Sequence, residues 1–104
     1  MANYERGEVW LVDLGLAAKV RPCLVLSVPY QDEDRALVSL VSHTTSPRHS
    51  RFEIPVKISF LRPGVFDAQS LITVPRAKLL KKLGKISVRQ MASVEDSVRR
   101  WLGM

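Results

Sequence analysis

Apolar residues in this chain come in short blocks separated by turns of Gly, Pro and polar side chains, until the C-terminal stretch, where the spacing changes. The first block is Glu8-Val9-Trp10-Leu11-Val12-Asp13, a β-rich run entered through Gly7 and left through Leu14-Gly15, and it predicts a strand. Apolar residues fall on both faces of that run, which suits a barrel or a sandwich better than an open, half-wet sheet. A short connection, Gly15 to Val20, leads to Arg21-Pro22-Cys23-Leu24-Val25-Leu26-Ser27, a second strand ending at about Val28. Its proline lacks an N–H and fixes φ, so it belongs at a strand start or on an edge. That leaves Arg21 at the mouth of a rigid element.

Pro29 to Asp34 is a polar turn whose three acids lack the spacing and glycine of a calcium loop. Ala36 to Ser42 is a third strand and runs into His43-Thr44-Thr45-Ser46-Pro47-Arg48-His49-Ser50-Arg51, a loop of hydroxyls and cations without an acid. Phe52 to Ile58 is a fourth strand, marked as an edge by Pro55. After the turn at Arg62-Pro63-Gly64, Val65 to Val74 makes a fifth. Pro75 stops it and opens a helical turn, Arg76 to Leu83, closed by Gly84.

The period then becomes helical. Ser87-Val88-Arg89-Gln90 fits a capping box, Met91, Val94, Val98 and Trp101 form a stripe, and Gly103 is a stop. The expected outline is a single domain over residues 1–104, a small all-β barrel of about five strands with one C-terminal α-helix.

At 104 residues and 46% hydrophobic, the chain can bury one modest core. No apolar run approaches a membrane span, and Met1 to Arg6 lacks a signal peptide's apolar stretch, so the expected address is the cytoplasm, with no membrane partner. Cys23 is the only cysteine, which rules out an intrachain disulfide and a thiolate metal cluster. Charge is unevenly placed. Residues 1–75 hold eight Lys/Arg and eight Asp/Glu, whereas residues 76–104 hold eight Lys/Arg against Glu95 and Asp96 alone, so the net +6 lies in the C-terminal stretch. A phosphate-rich or acidic partner would account for this, and so would a solvated helix face.

The usual catalytic groups are scarce: two histidines, no glycine-rich phosphate loop, no ligand cluster for a hydrolytic metal. What remains is Arg21, the hydroxyls of Thr44, Thr45 and Ser46, the loop cations Arg48 and Arg51, and the polar pair Asp67 and Gln69. That set suits cleavage of RNA by its own 2′-hydroxyl, where the protein positions the phosphate and stabilises the pentavalent dianion. An arginine fork holds two phosphate oxygens in fixed geometry, but its pKa, above roughly 12, makes it a poor base.

Arg6-Gly7-Glu8-Val9-Trp10-Leu11-Val12-Asp13-Leu14 followed by Arg21-Pro22-Cys23-Leu24-Val25-Leu26-Ser27 resembles the opening of the MazF/PemK (Kid-like) toxins. The likeness continues in Val41-Ser42-His43-Thr44-Thr45, in Thr73-Val74-Pro75-Arg76-Ala77-Lys78-Leu79 and in Leu83-Gly84-Lys85-Ile86-Ser87. The resemblance implies an SH3-like barrel, usually a homodimer, acting as a metal- and cofactor-independent endoribonuclease on single-stranded mRNA. It also implies an acidic cognate antitoxin as partner. Carried over by position, it makes Arg21 and Thr44 the catalytic pair, with Thr45 or Ser46 assisting on the phosphate. His43, Arg48, Asp67 and Gln69 complete the expected substrate-binding set. His43 stands where the family is usually apolar and reads either as a base near pH 7 or as a surface residue of the loop. The Leu14 to Arg21 connection is shorter than the family's glycine-rich loop, Asp67 and Gln69 depart from its Asp-Gln-x-Arg spacing, and Ile72 stands about where it has an arginine. Two other readings fit the composition: a barrel that binds RNA or DNA without cutting it, and a CcdB-like gyrase poison, whose Trp-Gly-Ile tail Trp101-Leu102-Gly103-Met104 only approaches.

Overall fold

The computed structural model describes residues 3–15 and 19–104, so Met1, Ala2 and the middle of the Gly15 to Val20 connection lie outside the described residues. The strands are β1 (Glu8–Asp13), β2 (Val20–Val25), β3 (Leu37–Thr44), β4 (Glu53–Val56), β5 (Gly64–Pro75) and β6 (Leu79–Lys85), followed by the helix α1 (Val88–Leu102). They pair antiparallel in the order β4-β5-β3-β2-β1-β6. The mainly-β class with one C-terminal helix is as expected, and the ladder is that of a small barrel left open between β4 and β6.

The sixth strand is a correction. Only Arg76–Lys78 forms a helical turn, of the 3₁₀ type, and Leu79–Lys85 extends along β1 with Trp10 opposite Lys82. Leu and Lys are good helix formers, so local propensity points the wrong way here, and a waiting strand edge overrides it. The partners are matched in charge as well. Glu5, Glu8 and Asp13 pair with Lys85, Lys82 and Lys78 at 3.0, 2.9 and 3.9 Å. Three of the eight C-terminal cations are thus answered by acids around β1. Gly84, expected to close a helical turn, instead lies in the strand beneath Phe60, where a Cβ would stand 2.5 Å from the ring.

Both faces of the sheet are buried. On one side Val12, Cys23, Val25, Val38, Leu40, Val74 and Leu79 form a core with Tyr4. On the other Val9, Leu24, Val41, Phe66 and Ile86 pack with Met91 and Val94 of α1. Desolvation in the first core pushes the Cys23 thiol up to about 12, so it stays protonated and packs as a small apolar residue. Pro22 pairs with Leu11 of β1, while the β2–β3 ladder starts one residue later at Cys23 opposite Ser42. The proline therefore sits where β3 asks for no N–H. Pro55 lies in β4, an edge strand as expected.

The helix follows its local signals. Ser87 Oγ accepts from the Gln90 N–H at 3.1 Å and Gln90 Oε1 accepts from the Ser87 N–H at 3.0 Å, a complete capping box. Gly103 ends it in the left-handed region at φ 72°. Met91 and Val94 are buried, Val98 is half-buried, and Trp101 is partly exposed but sets its ring edge-on to Phe52 with centroids 5.3 Å apart. Ser97, outside the expected stripe, is fully buried and donates to the Phe52 carbonyl at 3.4 Å.

Candidate active site

Strands β2 and β3 bring the candidate residues together. Their register is Cys23 opposite Ser42, and two residues further along the same count places Arg21 across from Thr44. Because side chains alternate, Arg21, Ser42 and Thr44 share one face of the sheet. They line a cleft of about 260 Å³ with Ser46, Arg48, Glu53, Asp67 and Ser70. Thr44 Oγ1 accepts from the Ser46 N–H at 3.1 Å, a local turn that orients the hydroxyl at the strand end.

The β5 side of the cleft is built by an irregularity. The β3–β5 register jumps from Val41 opposite Leu71 to His43 opposite Phe66, so β5 holds extra residues over 67–70. Such a bulge re-aims side chains. Asp67 and Ser70 both line the cleft, Ser42 Oγ donates to Ser70 Oγ at 2.5 Å, and Asp67 Oδ1 accepts from the Gln69 N–H at 3.0 Å. Gln69 is exposed and outside the cleft lining.

The loop after β3 divides its cations. Arg48 lines the cleft, whereas the Arg51 guanidinium lies over the Phe52 ring, 4.6 Å from its centroid. Glu53 shapes the turn between them. Its carboxylate accepts from the Arg48 N–H at 2.9 and 3.1 Å and from the Ser50 N–H at 3.1 Å. Those bonds, the Arg48 one first, hold it below the usual carboxylate range. Both cleft guanidiniums come from the charge-balanced part of the chain, not from the basic C-terminal stretch.

His43 and Thr45 point to the other side of β3 and line a second cavity of about 410 Å³, with Arg21 on its rim. The expectation of a surface loop histidine is corrected: β3 continues through Thr44, and His43 is 3% exposed within it. Its ring meets Phe66 edge-on at 5.2 Å between centroids.

The family of PemK-like, MazF-like toxins of type II toxin–antitoxin systems matches residues 5–102. The chain belongs to that family. Among solved structures it is similar to an endoribonuclease in complex with its cognate antitoxin from a mycobacterial species, with a TM-score of 0.83 at 25% identity over 97% of this chain and 96% of that one. It shares its fold with MazF from Deinococcus radiodurans, at TM-score 0.81 and 23% identity over 97% of each chain. The same holds for the structure of an endoribonuclease from a mycobacterial species, at TM-score 0.80 and 24% identity over 97% of this chain and 92% of that one.

In this MazF-like chain, sequence reasoning missed Glu53, Ser42 and Ser70. Glu53 carried a readable signal, since Ser50-Arg51-Phe52-Glu53 has the spacing of a capping box, used here on a turn. Gly64, read only as part of a turn, also bears on the site. A Cβ there would sit 2.8 Å from His43 Cε1 and closer still to the Thr44 carbonyl oxygen. Gly64→Ala is therefore expected to destabilise the fold by about 1–3 kcal/mol, measured by urea unfolding, and to disturb the end of β3 that carries Thr44.

The MazF-like fold also sets a pH response. Burial pushes the His43 imidazole below its usual 6.5. The unfolded chain then binds a proton that the folded one refuses, so this contribution to stability is intact above 6.5 and is lost as pH falls below it. The loss runs at up to about 1.4 kcal/mol per pH unit until the folded imidazole titrates. Urea midpoints at pH 7.5 and 5.5 check this, and the part due to His43 is expected to vanish in His43→Leu.

Proposed function

We propose that this toxin-family member is a metal-independent, sequence-selective endoribonuclease that cuts single-stranded mRNA in the cytoplasm. It works as a homodimer and is neutralised by an acidic cognate antitoxin. The observation that carries the reading is Arg21 and Thr44 converging on one cleft from adjacent strands. The Arg21 fork and Arg48 hold the scissile phosphate, and the Thr44 hydroxyl donates to a non-bridging oxygen as the 2′-oxygen attacks in line. Arg21 stabilises the charge that builds on phosphorus and passes an N–H proton to the 5′-oxygen as its bond to phosphorus breaks, giving the 5′-hydroxyl, and solvent returns the proton to the guanidine. The Glu53 carboxylate is occupied by backbone N–H groups, so Asp67 takes the 2′-hydroxyl proton. Ser46 flanks the phosphate in the cleft, Thr45 meets the strand on the other side of β3 at the second cavity, and Gln69, outside the cleft, contacts RNA further along. The products carry a 2′,3′-cyclic phosphate and a 5′-hydroxyl.

Support for the antitoxin comes from the family and from the mycobacterial relative solved with its cognate antitoxin. The test is incubation of the purified protein with a long single-stranded RNA in EDTA, with the new 5′ ends mapped. Discrete cuts with 5′-hydroxyl ends are expected, and a single 2′-deoxy nucleotide at a cut site is expected to block that cut. Intact RNA, bound but uncut, would leave the binding module instead.

A further inference from the structure

The second cavity has features that phosphate chemistry alone does not use. Its walls are apolar, with Leu11, Pro22, Phe60, Leu61 and Leu83, and its rim carries Lys19, Arg21 and Arg62. At about 410 Å³ it falls in the usual range of small-ligand sites, roughly 300–1,000 Å³. His43 forms part of the wall, and its Nε2 is buried without a hydrogen-bond partner among the described residues. A buried polar atom left in that state is costly unless something else supplies the bond. Arg21 lines both this cavity and the cleft, so a strand with a phosphate on Arg21 has a flanking nucleotide at the mouth of the cavity.

We propose that this cavity is a subsite for one unpaired nucleobase of the RNA strand, which inserts against Phe60 and Leu61 and, displacing the side chains that cover it, completes the hydrogen bonding of His43 Nε2. The proposal rests on the RNA-cleaving reading above. Apolar and aromatic walls accept the faces of any base, whereas a single fixed nitrogen accepts only some base edges, so the walls supply affinity and His43 the choice. Burial keeps the imidazole neutral, so this nitrogen reads the base by hydrogen bonding without adding charge. Lys19 and Arg62 at the rim suit the phosphates on either side of the inserted nucleotide.

A randomised pool of 2′-fluoro RNA, which has no 2′-hydroxyl to attack, tests this by binding alone. The pool is captured with the wild-type protein, with His43→Leu and with Leu61→Trp, which fills the cavity from its wall, and the bound sequences are read. The wild type is expected to prefer certain bases at one position by roughly tenfold, the worth of one buried hydrogen bond, and both variants to lose that preference while keeping the others. Should His43→Leu fail to fold, as judged by circular dichroism, Leu61→Trp carries the test. An unchanged profile in the folded variants, or a wild type with no base preference, overturns the subsite. Cleavage of ordinary RNA is scored separately. A wild type that cuts nothing but shows the preference, lost in the variants, refutes the nuclease and sustains the subsite.

Discussion

Arg21→Ala lowers the rate of single-stranded RNA cleavage on the order of 10³-fold and leaves the fold intact. The expected size follows from the work assigned to the side chain. A lost oxyanion donor costs roughly 10²–10³, and an arginine that neutralises a transferring phosphoryl group is worth 10³ or more. Arg21 is exposed at the mouth of β2 and belongs to neither apolar core, so its truncation opens no cavity in them. Arg21→Lys separates charge from geometry. It keeps the cation and loses the two-pronged fork, so only part of the rate returns. Single-turnover cleavage in EDTA, with unfolding curves for each variant, decides the matter. A wild-type rate in Arg21→Ala would remove this residue from the chemistry.

The largest expected effect on stability belongs to Phe66→Ala, a loss of about 3–5 kcal/mol. Phe66 is the largest side chain with no exposure at all, and it lies where β5 pairs with both β3 and β4, opposite His43 and Ile54. Truncation leaves a cavity beneath the helix-side core, which Leu24, Val41 and Val94 cannot close without moving the sheet. Native domains are stable by only about 5–15 kcal/mol, so the variant loses a large part of the total. Phe66→Leu, which keeps most of the volume, should cost much less. Urea midpoints measure both. A drop of under 1 kcal/mol in Phe66→Ala would show that this core tolerates a void, against the packing described above.

The setting of Arg21 is legible only in part from the chain. Arg21 and Thr44 lie far apart in sequence, and their types suggested phosphate chemistry before any strand was paired. The antiparallel count from Cys23 and Ser42 then sets them face to face. Asp67 and Gln69 show the opposite case. They lie where β5 bulges between Phe66 and Leu71. The bulge turns Asp67 and Ser70 into the cleft and leaves Gln69 outside. Nothing local marks such an insertion, since it exists only relative to the partner strand.

What the sequence determined by itself are the features whose causes are local. Alternating and continuous apolar blocks specify strands through the two-residue repeat of extended chain. Ser87, Gln90 and Gly103 specify the ends of α1, because each satisfies backbone groups within a turn of itself. Tertiary structure decided whatever depends on a distant partner. Leu79–Lys85 became a strand because β1 offered an open edge and three matching acids nearby. His43 became a wall of a cavity because β3 runs on through Thr44 and Phe66 closes over it. Arg48 went to the cleft and Arg51 to an aromatic ring because Glu53 gathers the backbone between them. In each case local preference was weak or contrary, and the free energy of a long-range contact outweighed it.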